Sequence, residues 1–140
     1  MLAVFRLSVG DELFTDVRQV RNEVFVLEQG VSEVDEYDSY EGVATHYLIQ
    51  KDGRNCGAAR WRETEKGIKL ERFAVLKQYR GKEIGKHLVK EVLKDVIGFN
   101  VTIYLHAQIQ VVDFYQKLGF MKVGDLFEEA GIKHYVMTFK

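Results

Sequence analysis

The feature that most constrains this chain is an apolar segment that runs directly into a basic, glycine-containing turn. Residues 70–75 read Leu-Glu-Arg-Phe-Ala-Val, which suits a buried strand. The turn at residues 78–86 reads Gln-Tyr-Arg-Gly-Lys-Glu-Ile-Gly-Lys. Apolar residues then recur at every fourth position, at Ile84, Leu88, Val92 and Val96. This spacing indicates one buried face of a helix, so the stretch predicts a strand, a turn and a long helix in succession.

The turn has the features of an anion site. The first turn of a helix leaves backbone N–H groups without partners and carries partial positive charge, so it binds phosphate where the chain can approach closely. Gly81 and Gly85 permit that approach, and Arg80, Lys82 and Lys86 add cations. We therefore predict a site for pyrophosphate or a similar polyanion. The spacing of the glycines matches neither a P-loop nor a dinucleotide fingerprint, and a surface turn made basic for solubility is the alternative.

Two segments resemble the GNAT superfamily of N-acetyltransferases. Residues 70–75, followed by 78–85, resemble motif A of the superfamily, which is Q/R-x-x-G-x-G/A after a central strand. Residues 113–120, Asp-Phe-Tyr-Gln-Lys-Leu-Gly-Phe, resemble motif B. The order and separation of the two segments also match, so the resemblance covers most of the chain. It implies a GNAT fold, with helices on both faces of a mixed, mostly antiparallel sheet.

The resemblance implies acetyl-CoA as the co-substrate, with no metal. The pantetheine arm of coenzyme A is then expected along the motif A strand, whose main-chain donors would also polarise the thioester carbonyl, and the pyrophosphate is expected in the turn. Gln108 stands where the family often has an asparagine. The positions carried over to cofactor binding are Phe73, Ala74, Val75, Gln78, Arg80, Gly81, Lys82, Glu83, Ile84, Gly85, Lys86 and Gln108.

One position departs from motif A. Gln78 and Gly81 fill its first two fixed positions, but Glu83 stands at the third, where the family has Gly or Ala. A carboxylate about 7 Å from a phosphate repels it by about 0.6 kcal/mol per charge pair in water. We expect weaker cofactor binding unless this side chain points outward.

The catalytic assignments follow from the same resemblance. Tyr115 matches the motif B tyrosine that the family places near the sulfur, where it acts as a general acid; a core position on the helix is the alternative. An alkylammonium has a pKa near 10.4, so some group must accept its proton. Glu71 on the motif A strand is the first candidate for this base, followed by His106 and Glu41, although Glu71 also suits a structural ion pair.

Composition and order of elements agree with one compact domain spanning residues 1–140. The chain is 46% hydrophobic and carries a net charge of −1, which argues against a nucleic-acid binder. The predicted strands and helices alternate in the middle and are flanked by hairpins, which indicates a mixed α/β sheet. No segment has the length of a membrane span or a signal peptide, and the single cysteine, Cys56, excludes an internal disulfide, so we predict a cytoplasmic protein.

Two further groups of residues admit competing interpretations. Five acids occur between residues 33 and 41, which usually indicates a solvated loop, although they would also attract a cationic amine. The three remaining histidines show no metal-ligand spacing and are interpreted as surface or hydrogen-bonded core residues; they are His46, His87 and His134. Cys56 lies in a predicted hairpin away from both motifs and is not expected to be a nucleophile.

The sequence therefore predicts an acetyl-CoA-dependent N-acetyltransferase in which a primary amine attacks directly in a ternary complex. The acceptor would be a small-molecule or protein amine, with neither nucleic acid nor membrane as a partner, and a homodimer is left open. The first alternative is a non-catalytic acyl-CoA-binding regulatory module. The second is a nucleotide or nucleic-acid binder that uses the basic patch between Arg80 and Lys86.

Overall fold

The architecture is a seven-stranded mixed sheet with helices on both faces, as predicted. The computed structural model describes residues 1–139, excluding the side chains of residues 34 and 35. Lys140, the last residue of the predicted domain, and the side chain of Asp35, one of the five predicted acids, therefore lie outside the described residues. The strands are β1 (Leu2–Leu7), β2 (Thr45–Lys51), β3 (Arg54–Thr64), β4 (Gly67–Val75), β5 (Ile103–Gln108), β6 (Phe120–Glu129) and β7 (Ile132–Phe139).

The strands follow the order β1-β2-β3-β4-β5-β7-β6 across the sheet. All neighbouring pairs are antiparallel except β4 and β5, which are parallel. A parallel pair needs a long crossover, and the helix predicted after β4 supplies it. The hairpin predicted between β2 and β3 also forms, and its turn places Asp52 and Gly53 at φ 51° and 80°, as a two-residue hairpin turn requires.

Helices cover the sheet on opposite faces. They are α1 (Phe14–Arg21), continued by a π-helical segment (Asn22–Glu28), then α2 (Glu33–Glu36), α3 (Ile84–Val96) and α4 (Val112–Lys117). Helix α1 packs with Leu48, Ala58 and Ala74 in one core, whereas α3 and α4 pack with Tyr47 and Ile49 in the other. Neighbouring strand residues thus face opposite cores, as the pleat of a sheet demands. Among the described helices, none has the length and apolarity needed to cross a membrane.

The stretch from β4 to α3 forms as predicted. Strand β4 passes through a short 3₁₀ turn (Lys77–Tyr79) into the basic turn, and α3 begins at Ile84. The predicted apolar stripe of α3 is buried along its length, at Ile84, Leu88, Val92 and Val96. Asn100, in the left-handed conformation, follows the end of the helix, and Gly119 at φ 104° ends α4.

The acidic segment at residues 33–41 is not a solvated loop, which corrects the prediction. It begins with α2, and Glu36 at the end of that helix is buried. Three of its acids bind arginines that project from α1, β3 and β4. The Glu36 carboxylate lies 2.7 Å from Nε of Arg21, and the Asp38 carboxylate lies 2.7 Å from the guanidinium of Arg60. These three acids therefore serve as counter-ions for buried or partly buried arginines, because an unpaired buried charge is costly.

Arg60 is the centre of this network. Its guanidinium is fully buried and contacts Asp38, Glu41 and, at 2.9 Å, Glu71 of the adjacent strand. Arg21, also fully buried, contacts Glu36 and Glu41. We refer to these residues as the buried ion network; they are Arg21, Glu36, Asp38, Glu41, Arg60 and Glu71.

The histidines only partly match their interpretation. His87 is partly exposed on α3, and His134 is buried with its Nδ1 2.7 Å from a backbone carbonyl. His46 is fully buried and its Nε2 donates to the Glu41 carbonyl at 3.0 Å, but its Nδ1 contacts no described polar group. Burial lowers the pKa of His46, so the ring stays neutral. The prediction of a hydrogen-bonded core residue holds for one ring nitrogen only.

The buried ion network predicts a strong asymmetry between two arginines. Replacing Arg60 by Met removes the one cation among the described residues that contacts all three of Asp38, Glu41 and Glu71, and we expect the free energy of unfolding to fall by about 3 kcal/mol. Arg6, whose partners Glu91 and Asp95 are at the surface, is the matched control, and Arg6→Met is expected to cost at most about 1 kcal/mol. Urea denaturation of both variants measures the difference, and equal losses would contradict it.

Candidate active site

The central opening of the sheet lies where β4 and β5 part. The two strands pair over only three residues each, 68–70 with 103–105. Beyond this point β4 continues to Val75 and β5 to Gln108, with no pairing between them. On its opposite edge, β5 is paired with β7 along this whole length, so the main-chain groups of that edge have hydrogen-bond partners. The unpaired edges of β4 and β5 therefore face each other across a wedge that can admit an extended ligand.

The main chain of β4 is oriented towards this wedge at two predicted positions. The N–H of Leu76 donates to the Cys56 carbonyl of β3 at 2.8 Å. Because strand N–H groups alternate in direction, those of Phe73 and Val75 point away from β3 and towards the wedge, whereas that of Ala74 points to β3. Of the three residues predicted to contact pantetheine, Phe73 and Val75 direct their main-chain N–H groups into the wedge, and Ala74 directs its N–H group to β3.

A bulge in β4 helps to bend the strand away from β5. Arg72 has φ 60°, which is uncommon for a residue other than glycine, and the pairing with β3 shifts register opposite it. Its guanidinium contacts both Glu36 and Asp38 at 3.3 Å. The acidic segment therefore holds the bulge, and with it the shape of the wedge. No feature of the sequence distinguished Arg72 from its neighbours.

The turn before α3 presents a run of free amides. Within the described chain, no backbone N–H of residues 81–86 has a protein acceptor, and α3 has no side-chain cap. Gly81 has φ 77°, a conformation that favours glycine, and no atom lies within 4 Å of the position a Cβ would occupy. Ile84, the first residue of the helix, is buried. Uncapped N–H groups at the start of a helix, with open space at Gly81, are the arrangement that binds phosphate.

Glu83 precedes α3 in a strained conformation. It has φ 62° and ψ 14°, the left-handed region, and its side chain is exposed. A residue with a Cβ pays roughly 1–2 kcal/mol in this region compared with glycine. This strain explains physically why a glycine suits the third position of the turn, and the exposed carboxylate remains free to point away from the amides.

The three cations of the turn differ in their contacts, and the predicted role of all three in binding phosphate stays a prediction. The Arg80 guanidinium makes two bonds to Glu28, of 2.6 and 2.8 Å, and its Nε donates to the Val75 carbonyl at 2.9 Å. Lys82 lies near the Tyr79 ring, and neither it nor Lys86 forms an ion pair with a described residue. The available positive charge at the turn is therefore that of the two lysines.

The two predicted glutamines lie at different places. Gln78 is exposed in the 3₁₀ turn that leads to the free amides. Gln108 ends β5, on the far side of the wedge, and its Nε2 donates to Oε1 of Gln29 at 3.1 Å. Gln29 follows the π-helical segment, so this bond connects the end of β5 to the region that follows α1.

Tyr115 lies at the wedge but within the core. Its ring packs edge-on against Phe73 of β4, with centroids 6.3 Å apart, and against Phe114 and Phe120. The described residues provide no hydrogen-bond partner for its hydroxyl, although buried tyrosines usually have one. Burial raises the pKa of Tyr115, so the phenol stays protonated at neutral pH. The geometry accommodates both the core interpretation and a proton donor.

Glu71 is surrounded by cations. Its carboxylate contacts Arg60, Arg62 and Lys69 at 2.9, 2.7 and 3.2 Å. Burial alone would raise the pKa of Glu71, but the charges of Arg60 and Lys69 and the bond from Arg62 outweigh burial, and the pKa lies below its usual value. The structural ion-pair interpretation describes this contact set, and a carboxylate held in this way is a weak proton acceptor. Its catalytic role stays a prediction.

A histidine on β5, in the first position beyond the pairing with β4, lies next to a carboxylate on β6. Nδ1 of His106 on β5 is 3.3 Å from Oε2 of Glu129 on β6. The hydrogen bond from His106 lowers the pKa of Glu129 to about 2, with burial opposing. Sequence reasoning named His106 but missed Glu129, because the two are 23 residues apart and only the pairing of β5, β7 and β6 brings them together. Within the described chain, no three His, Cys, Asp or Glu side chains form a metal-binding group.

Comparison with known proteins places the chain among acetyltransferases. A family model described as an acetyltransferase (GNAT) domain matches residues 13–140. A Bacillus subtilis (strain 168) protein described as the uncharacterized N-acetyltransferase YjcF is 35% identical over 133 residues, which cover 94% of this chain and 95% of that protein.

Solved structures share the fold over the whole chain. The crystal structure of Escherichia coli ElaA superposes with a TM-score of 0.88 at 25% identity and covers 100% of both chains. A Thermoplasma acidophilum PaiA N-acetyltransferase solved in complex with coenzyme A has a TM-score of 0.69 at 18% identity, covering 100% of this chain and 99% of the other.

Proposed function

The chain belongs to the GNAT family of acetyltransferases, and from this premise we propose that it transfers an acetyl group from acetyl-CoA to a primary amine. The amine attacks directly, with both substrates bound in a ternary complex. The observation that carries the proposal is the run of free amides at residues 81–86 beside the wedge between β4 and β5. A cofactor with an extended arm and a diphosphate matches both parts of this site.

The residues of the site fit coenzyme A. The free amides of the turn and Lys82 and Lys86 would hold the pyrophosphate, and the edge of β4 at Phe73 and Val75 would pair with the pantetheine arm. A related fold, the Thermoplasma acidophilum protein, was solved with coenzyme A, which supports the same ligand class. Arg80 contributes indirectly, since its bonds to Glu28 and the Val75 carbonyl fix the path of the turn.

The chemistry requires three contributions from this chain. Acetyl-CoA supplies the acyl group as an activated thioester. Main-chain N–H groups at the edge of β4 would stabilise the negative charge that develops on the carbonyl oxygen, because they are fixed before the reaction. The Tyr115 hydroxyl, which has no described partner, would donate a proton to the departing sulfur. A base must also accept the proton of the ammonium.

A second candidate function is a regulatory module that binds acyl-CoA without catalysis. Two observations favour it: the carboxylate of Glu83 next to the turn, and the low basicity of Glu71.

The basic patch between Arg80 and Lys86 suits a nucleic-acid partner less well than expected, because Arg80 is paired with Glu28. A cytoplasmic location and one domain over residues 1–140 are further proposals from the sequence, and the choice between monomer and homodimer stays open.

Incubation with acetyl-CoA and a panel of amines separates the two functions. The panel contains polyamines, amino acids, an aminoglycoside and a peptide with a free N-terminus, and release of free thiol is followed. We expect amine-dependent thiol release with at least one member. Binding of acetyl-CoA in calorimetry without thiol release from any amine would favour the regulatory module. No binding of acetyl-CoA would remove both functions.

Removing the Tyr115 hydroxyl should affect turnover more than affinity. If the hydroxyl protonates the sulfur, Tyr115→Phe lowers kcat by about 100-fold, the scale of one general acid. The Kd of coenzyme A should stay nearly the same, since the ring and its packing are retained. Tyr135→Phe on β7 is the control. Equal turnover in Tyr115→Phe and the natural protein would leave Tyr115 as a core residue only.

The charge of Glu83 should weaken cofactor binding. Removing it in Glu83→Gln is expected to lower the Kd of coenzyme A about threefold for each phosphate charge within about 7 Å. Glu83→Gly removes the charge and also relieves the left-handed strain, so it should additionally raise the free energy of unfolding by about 1 kcal/mol. Calorimetry measures the affinities, with the exposed Glu65→Gln as control. Unchanged affinity in both Glu83 variants would mean that the side chain points away from the phosphates.

A further inference from the structure

We propose that His106 accepts the proton of the acceptor ammonium and that Glu129 positions its ring for this task. The inference rests on the proposed function, because it assigns the base that amine acetylation requires. The juxtaposition that carries it is a histidine–carboxylate pair at the point where the two central strands part.

His106 occupies a defined place relative to the wedge. Leu105 is the last residue of β5 paired with β4, so His106 is the first residue beyond the pairing. Leu105 and Ala107 belong to the core under α3 and α4, and Tyr115 lies in the same core. Because strand side chains alternate, His106 projects from the opposite face of the sheet. A group there meets an acceptor that enters from the side opposite Tyr115.

The contacts of the ring determine which nitrogen is available. A carboxylate only accepts hydrogen bonds, so the bond to Glu129 requires the proton of a neutral ring to lie on Nδ1. Nε2 then carries the lone pair, and it has no hydrogen-bond partner among the described residues. Phe127 packs edge-on against the ring, with centroids 5.0 Å apart. The ring is therefore held by two contacts from β6 with its basic nitrogen free.

The titratable groups that surround the pair come from β4, β5 and β7. Lys69 on β4 bonds to Glu71 at 3.2 Å and also helps to lower the pKa of Glu129. His134 on β7 stacks on Phe127, and the Tyr104 ring lies 6.1 Å from that of His106 on the same strand. Glu129 stays ionised through the neutral range, so it can stabilise the imidazolium that forms.

Glu71 and His106 occupy equivalent positions, because each follows the last paired residue of its strand. Two differences between their side chains favour His106 as the base. The carboxylate of Glu71 is engaged by three cations, which weakens it as a proton acceptor. Imidazole is the side chain that ordinarily exchanges a proton near neutral pH, and His106 presents a ring nitrogen with no partner among the described residues, whereas the Glu71 carboxylate is fully engaged.

The proton step balances within these groups. The N–H bond of the ammonium breaks and its electron pair stays on the amine nitrogen, which becomes the nucleophile. The proton forms a new N–H bond at Nε2 of His106, giving an imidazolium next to the Glu129 carboxylate. After the acetyl group has moved, the imidazolium loses this proton to solvent. The second proton shed by the new amide nitrogen replaces the one that Tyr115 gives to the sulfur.

Turnover as a function of pH tests the assignment, with the best alkylamine of the panel as acceptor. His106→Gln is expected to lower kcat/KM about 100-fold at pH 7 and to recover as pH rises, because the free amine becomes abundant. Glu129→Ala should lower it less, and Glu129→Gln, which keeps an acceptor oxygen, should restore most of the loss. His87→Gln is the matched control, since His87 also faces a carboxylate, Glu91 at 3.8 Å, on the surface of α3.

A structural readout accompanies the kinetics. In nitrogen-15 NMR spectra of the full chain above pH 8, His106 should be protonated at Nδ1, and Glu129→Ala should change this tautomer while coenzyme A affinity is retained. A ring protonated at Nε2 overturns the inference, as does normal turnover in His106→Gln, and both results leave the proposed function intact. Absence of thiol release from the natural protein with every amine instead removes the proposed function, and the inference with it.

Discussion

The short parallel pairing of β4 with β5 is the constraint on which the site depends. Three residue pairs hold the strands together, and beyond Leu70 and Leu105 they separate. The separation is supported from both sides, by the bulge at Arg72 and by the continuous pairing of β5 with β7. It creates the one feature that a continuous sheet lacks, which is an unpaired strand edge inside the fold. An extended ligand can satisfy that edge with main-chain hydrogen bonds.

The buried ion network explains how this opening keeps its shape. Arg60 joins the acidic segment to Glu71, and Arg72 joins the same segment to the bulge one residue further along β4. Ionic contacts of this kind add little net stability compared with apolar packing, but losing one partner is costly. The network therefore acts mainly to hold the acidic segment after α1 in one position, because a shift of that segment would break its contacts with the buried arginines.

The sequence predicted the strand, the glycine-containing turn and the helix that follows it, because all three depend on local patterns. The period of the α3 stripe and the glycines of the turn are readable within a few residues. The fate of the acids at residues 33–41 was not readable, because whether a carboxylate is solvated depends on arginines in other strands. The pairs Arg80–Glu28 and His106–Glu129 could not be predicted from the sequence for the same reason, because each joins residues that are distant in the chain.

The proposed proton donor, Tyr115, and the proposed proton acceptor, His106, lie on opposite faces of one sheet. Tyr115 belongs to the core beneath α3 and α4, whereas His106 projects from the other face. In a continuous sheet these groups would be separated by the backbone and could not act on one bond. The wedge removes that barrier, because a thioester placed between β4 and β5, as we propose, would be reached from both faces. In the proposed reaction, the same unpaired edge would bind the cofactor, and the two proton transfers would occur on opposite faces of the sheet.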